Sequence, residues 1–455
     1  MISFPKEKIS VVLFEGIHPS AVELFKADGY TTVTQHKGTL EGAKLIDAIR
    51  DAHIVGIRSR TKLDAAAIEG ARRLIAIGAF CIGTDQIALD AAAERGVPVF
   101  NAPFSNTRSV AELVIAEAIL LVRGVPMRNA QLHRGQWNKS AEGAHEVRGK
   151  TLGIVGYGHI GTQVGVLAEA LGMRVIYYDI VTTLALGNAT SVKTLDEVLT
   201  QSDVVTLHVP DTALTRNMIG AKQLARMRQG AVLINASRGM VVDIDALTGA
   251  LEQGRIGGAA LDVFPKEPTG RDEAFVSPLL PFDQVILTPH IGGSTEEAQE
   301  NIGREVADKL VRYSNLGSTL TAVNFPEASL SEHPGMHRFI HIHQNRPGLL
   351  SQINAVFSRH NVNICSESLE TSARLGYVVI DVEANPATDA KAVRQELEDI
   401  DGTIRPMAIS PDEMYAAMSA EERAELNAYL DERAAQDLAF QMEADAPYDT
   451  PPWAL

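Results

Sequence analysis

Thr151-Leu152-Gly153-Ile154-Val155-Gly156-Tyr157-Gly158-His159-Ile160-Gly161 carries the decisive pattern of this chain. A short run suited to a buried strand meets three glycines spaced G-x-G-x-x-G, and a helical pattern then continues to about Leu171. A second strand pattern, Arg174–Tyr178, ends in Asp179 and completes a dinucleotide-binding fingerprint. Gly156 permits the tight turn, Gly158 lets backbone amides approach a pyrophosphate, and Gly161 allows close packing of helix on strand. A carboxylate at Asp179 suits ribose hydroxyls and repels a 2′-phosphate, so the cofactor expected is NAD, not NADP.

The alternation of strand and helix extends in both directions. Downstream, Val204–His208, Ala231–Asn235, Ala259–Val263 and Val285–Leu287 read as further strands. Upstream, Ser10–Phe14, His53–Ile57, Leu74–Ile77 and Val97–Phe100 do the same, and the apolar helix pattern Ser109–Arg123 bridges the two units. Each unit is expected to be a doubly wound parallel α/β sheet. A helix over Thr295–Tyr313 and a linker ending His333-Pro334-Gly335 lead to a third unit. Its order is strand Arg338–His343, helix Pro347–His360, strands Val362–Thr371 and Gly376–Ala384, helix Thr388–Asp399, strand Thr403–Ile409. That βαββαβ order predicts a ferredoxin-like sandwich. Ser410-Pro411-Asp412-Glu413 then opens a last helical pattern with an apolar stripe at Leu426, Leu430, Ala434 and Leu438.

With 455 residues the chain is too long for one core, so two or three domains are expected. The formal charge of −16 disfavours nucleic acid as a partner and requires a local basic cluster for any anionic substrate. More than half of that charge lies in the tail, where eleven acidic residues face two arginines. No apolar run approaches the roughly 20 residues of a spanning helix, and no secretory leader is legible, so no membrane association is expected. Cys81 and Cys365 stand alone, which fits a reducing cytoplasm and leaves no metal site at ligand spacing.

Three polar residues fall just beyond strand ends, where open α/β sheets place their sites. Arg238 follows Ala231–Asn235, Glu267 follows Ala259–Val263, and His290 follows Val285–Leu287. Oxidising an alcohol beside a carboxylate needs a base, a hydride acceptor and a cation. His290 suits the base, since imidazole titrates near ~6.5. Glu267 can fix its tautomer, and Arg238 can grip a carboxylate as a two-pronged donor.

Lys150–Gly161, Asn235–Asp243 and Leu287–Gln299 together resemble the D-isomer-specific 2-hydroxyacid dehydrogenase family. The likeness spans roughly residues 8–410 and is closest to members acting on 3-phospho-D-glycerate at the first step of L-serine biosynthesis. It implies Arg238, Glu267 and His290 as the catalytic set. It implies cofactor contacts at His159, Ile160, Asp179, Ala236, Ser237, Asp262, Gly292 and Gly293, beside the glycines of the fingerprint. Arg58, Ser59, Arg60, Asn106 and Gln299 match its substrate contacts, and Lys139 matches a basic residue lent to a neighbouring subunit. A substrate with both carboxylate and phosphate needs two cationic ends, and the Arg58/Arg60 pair would supply the second.

The implied architecture is a discontinuous flavodoxin-like substrate domain (1–102 and 293–331), a Rossmann NAD domain (103–292) and an acidic helical tail (411–455). Between them, residues 336–410 resemble the amino-acid-binding ACT domain, in which His343, Asn345 and Asn363 match positions that bind L-serine. The likeness further implies dimers through Ser109–Arg123, joined into a homotetramer by paired ACT domains. The tail has no counterpart in the family pattern. A reductase of 2-oxoglutarate or another 2-oxo acid on this scaffold would need no phosphate site, which the arginine pair argues against. A non-catalytic NAD-sensing protein is disfavoured by the intact triad.

Overall fold

The computed structural model describes residues 6–268, 273–331, 335–383 and 389–409. The tail helix expected beyond residue 410, and His333 and Pro334 of the linker, lie outside the described residues. The first unit alternates β1 (Ser10–Leu13), α1 (Pro19–Ala27), β2 (Thr32–Gln35), α2 (Gly42–Ile49), β3 (Ile54–Ile57), α3 (Ala65–Gly70), β4 (Ala76–Ala79), α4 (Leu89–Glu94) and β5 (Val99–Asn101). Its parallel sheet has the order β2-β1-β3-β4-β5, the flavodoxin-like arrangement. Strands β3, β4 and β5 are buried along their whole length because helices cover both faces.

Helices α5 (Thr107–Val122) and α6 (Val125–His133) carry the chain into the second unit. There follow β6 (Thr151–Val155), α7 (His159–Ala170), β7 (Arg174–Tyr178), β8 (Thr190–Ser191), α8 (Leu195–Gln201) and β9 (Val204–Leu207). The unit closes with α9 (Ala221–Arg226), β10 (Val232–Asn235), α10 (Ile244–Glu252), β11 (Gly258–Leu261) and β12 (Val285–Leu287). The order β12-β11-β10-β9-β6-β7-β8 puts the reversal of winding between β6 and β9, at the glycine fingerprint. Open α/β sheets bind their ligands at such a switch point.

Helix α11 (Glu296–Leu316) returns to the first unit and packs on α1 and β4. The third unit runs β13 (Met336–Gln344), α12 (Leu349–Arg359), β14 (Ile364–Thr371), β15 (Leu375–Glu383), α13 (Ala390–Glu398) and β16 (Thr403–Ile409). Its antiparallel sheet has the order β14-β15-β13-β16. Alternate residues of β13 serve two cores. Phe339 packs with Ile353, Phe357 and Leu397 beneath the helices. Ile340 and Ile342, with Tyr377 and Val379 of β15, instead join the core of the first unit around Phe100, Tyr313 and Phe325. Polar bonds reinforce this junction: Arg338 Nη1 donates to Leu316 O at 2.9 Å, Tyr377 OH to Gly317 O at 2.5 Å, and Arg405 Nη1 to Leu74 O at 2.7 Å. The third unit therefore meets the rest of the chain across the sheet face formed by β13, β15 and β16, in addition to the linker. Among the described residues, no helix is long and apolar enough to cross a membrane.

Candidate active site

The fingerprint turn is shaped for a ligand. A side chain at Gly156, whose φ is 90°, would meet His208 O at 2.2 Å, so only glycine lets the turn pass the end of β9. A side chain at Gly158 would meet nothing within 4 Å, and Gly158 caps α7 without any side-chain acceptor for the first-turn amides. Uncapped helix-terminal N–H groups beside open space are what a pyrophosphate requires. Asp179 sits at the end of β7 with its carboxylate fixed, accepting from Tyr157 N at 2.7 Å and Val181 N at 2.9 Å. These residues fit a dinucleotide.

On the facing strand ends, His290 Nδ1 lies 2.9 Å from Glu267 Oε2, and Glu267 Oε1 accepts from Phe264 N at 3.1 Å. The hydrogen bond to Glu267 raises the imidazole pKa above its ordinary value; burial and Arg238 oppose this, while the charges of Glu267 and Asp262 add to it. Burial alone would raise Glu267, but the bond and charge of His290, with Phe264 N–H and Arg238, take it below the usual carboxylate range. His290 has φ 55°, a left-handed backbone held only because its surroundings over-determine it. Asp262 provides much of that constraint. Buried at the end of β11, it accepts from Thr288 Oγ1 (2.6 Å), Ile291 N (2.8 Å) and Gly292 N (2.8 Å). Asn235 does the same for the neighbouring turn, accepting from Ser237 N and Oγ and donating to Arg238 O. Arg238 is half-buried, with Nη1 donating to Ser237 O at 2.8 Å. Ala236 and Ile160 pack against the core of this unit.

Across the cleft, Phe104 rests on His159 with ring centroids 4.0 Å apart. Asn106 immediately precedes α5, makes no side-chain capping bond, and lies so close to the 292–293 turn that a side chain at Gly293 would meet its Nδ2 at 2.1 Å. Gln299 Nε2 donates to Gly293 O at 3.3 Å. Arg58 and Gln299 line a cavity of about 260 Å³, whereas Ser59 and Arg60 stand exposed. Lys139 and Trp137 are exposed in the stretch after α6. In the third unit His343 is buried beneath the helices, Asn345 Nδ2 donates to Ser372 O at 2.8 Å, and Asn363 is exposed just before β14.

Two residues at the cleft escaped sequence reading. His208, at the end of β9, leaves Nδ1 without a partner among the described residues, and burial lowers its pKa to about 3. Glu15, buried after β1, accepts from Arg58 N (3.1 Å), Arg60 N (3.1 Å) and Thr61 N (2.8 Å), and its carboxylate stands 3.5 Å from Arg60 Nε. One carboxylate thus shapes the loop presenting both arginines. Nothing local marks it, since the loop it organises lies more than forty residues away. We expect Glu15→Ala to cost about 1–3 kcal/mol through orphaned amides, and to speed hydrogen exchange at Arg58, Arg60 and Thr61. Unchanged protection at those amides would refute this role.

This strand-end site on a doubly wound NAD-binding fold defines a class. Residues 115–292 match the family described as D-isomer specific 2-hydroxyacid dehydrogenase, NAD binding domain, and residues 339–405 match an AHAS small subunit-like ACT domain. The chain belongs to the D-isomer-specific 2-hydroxyacid dehydrogenase family and is an NAD-dependent dehydrogenase. It is 58% identical over 404 residues to the D-3-phosphoglycerate dehydrogenase of Haemophilus influenzae, covering 89% of this chain and 98% of that one. The Escherichia coli K12 enzyme of the same name is 59% identical with the same coverage. Among solved structures, D-lactate dehydrogenase from Aquifex aeolicus, complexed with NAD and lactic acid, superposes with a TM-score of 0.59 at 28% identity. That match covers 67% of this chain and 96% of that one.

Proposed function

We propose that this chain oxidises 3-phospho-D-glycerate to 3-phosphohydroxypyruvate with NAD, the first step of L-serine biosynthesis. The carrying observation is a cleft with a cation at each end: Arg238 beside the His290–Glu267 pair, and Arg58 at the cavity across from it. Bound NAD, held by the fingerprint amides, Asp179 and the 236–237 and 292–293 turns, supplies the hydride acceptor. Arg238 holds the substrate carboxylate. His290 takes the hydroxyl proton on Nε2, because Nδ1 is committed to Glu267, and Glu267 stabilises the resulting imidazolium. Arg58, Ser59, Arg60, Asn106 and Gln299, with Lys139 from a second copy, receive the phosphate.

The ACT domain serves as the sensor, with L-serine held by His343, Asn345 and Asn363 between paired copies in a homotetramer. Among the described residues β14 is an edge strand, which supports such pairing, since an unpaired edge is a template for another strand. The test is NADH formation from 3-phosphoglycerate, repeated with millimolar L-serine. Turnover that serine lowers is expected. No turnover of 3-phosphoglycerate would end the catalytic reading, and indifference to serine would end the regulatory one alone.

Asp179 is expected to set cofactor choice. Asp179→Ser retains an acceptor for Tyr157 N, and arginine at the exposed Ile180 supplies a partner for a 2′-phosphate. The double variant should shift the NADP/NAD ratio of kcat/KM by about tenfold or more, the factor for each ~1.4 kcal/mol. An unaltered ratio would remove Asp179 from that role.

A further inference from the structure

We propose that His18 is a further specificity residue, donating its Nε2–H to the phosphate of the substrate at the Arg58 end of the cleft. The inference rests on the 3-phosphoglycerate reading above. His18 stands between β1 and α1 as the N-cap of α1, and lines the same cavity of about 260 Å³ as Arg58, Gln299 and Thr295. Its two ring nitrogens have different fates. Nδ1 accepts from Ser20 N at 3.2 Å. It also lies 3.0 Å from Ser20 Oγ, a hydroxyl that can turn its one hydrogen either to this nitrogen or to Glu300 O, likewise at 3.0 Å. An acceptor at Nδ1 places the proton of the neutral ring on Nε2, an assignment made from this network. Among the described residues Nε2 has no partner.

The ring is held where that donor is useful. Helix α11 comes so close that a side chain at Gly303 would meet Ser20 Oγ at 2.5 Å and His18 Cβ at 3.4 Å. The packing of α11 on α1 thus backs the cap of a histidine that also lines the cavity. The first turns of both helices line that cavity, and their positive dipole ends favour an anion. Glu296, also in the lining, opposes one. The cavity lining itself sets one arginine, Arg58, against one carboxylate, Glu296, and His18 Nε2–H adds a neutral donor on that side.

Capping alone would explain Nδ1, so the test separates the two nitrogens. Asparagine is a strong N-cap, so His18→Asn keeps an acceptor for Ser20 N and removes the Nε2–H. Steady-state kinetics with 3-phospho-D-glycerate and with D-glycerate, which lacks only the phosphate, read the difference. We expect His18→Asn to raise KM for 3-phosphoglycerate about 10- to 100-fold, the range for a lost hydrogen bond to a charged group. Its kcat, its KM for NAD and its kcat/KM for D-glycerate should stay near wild type. A wild-type KM in His18→Asn, with a loss only in His18→Ala, would reduce His18 to a cap. An equal loss on both substrates would overturn the phosphate contact. A wild-type chain that prefers D-glycerate would instead overturn the functional reading beneath it.

Discussion

His290→Ala is expected to lower kcat for 3-phosphoglycerate oxidation by ~10²–10⁴-fold, the usual worth of a positioned general base. NADH affinity should be unaltered, because the imidazole is tied to Glu267 and not to the fingerprint turn. The pH profile carries the finer test. Only neutral imidazole can take the hydroxyl proton, so oxidation rises as pH passes the His290 pKa. That half-point lies above the ordinary ~6.5, since the Glu267 bond raises it most. Glu267→Gln removes both the bond to a carboxylate and its charge. The half-point should therefore move to lower pH while the plateau rate falls. Near-normal turnover in His290→Ala, or an acid limb unmoved in Glu267→Gln, would remove proton transfer from this pair.

Arg238→Ala should reduce kcat/KM by a factor corresponding to about 2–5 kcal/mol, the cost of truncating one partner of a desolvated charge pair. Arg238→Lys should recover only part, because an ammonium cannot match a carboxylate with two parallel donors. Neither substitution touches the amides at Gly156 and Gly158, so NADH titration serves as the folding and cofactor control. A kcat/KM within twofold of wild type in the alanine variant would mean that the carboxylate is held elsewhere.

What was legible in the sequence follows the range over which each feature is encoded. The fingerprint, its strand and Asp179 lie within thirty residues, and the alternation of buried strands announces both parallel sheets. Strands β2 and β8 were missed because they are short, polar edge strands, Thr-Val-Thr-Gln and Thr-Ser, mostly exposed and without an apolar run. Strand β4 starts two residues later than read, at Ala76 and not Leu74. The third unit was legible in order, since its helices keep amphipathic spacing. Its docking face was not, because Arg338, Ile340 and Ile342 read as one side of a strand with no indication of what covers it. Glu15 and Ser20 bond to groups distant in sequence, Arg58 and Glu300, and only the folded chain brings them together.

Helix α11 acquires a mechanical meaning from its two ends. Its 21 residues form a rod about 31 Å long at 1.5 Å per residue. Thr295 and Gln299, at one tip, border the cavity that Arg58 also lines. At the other tip the carbonyls of Leu316 and Gly317 are clasped by Arg338 and Tyr377, and Arg338 is itself locked to Asp381 at 2.7 and 2.9 Å. The ACT sheet and the cavity at Gln299 are thus joined through one continuous helix as well as through the linker.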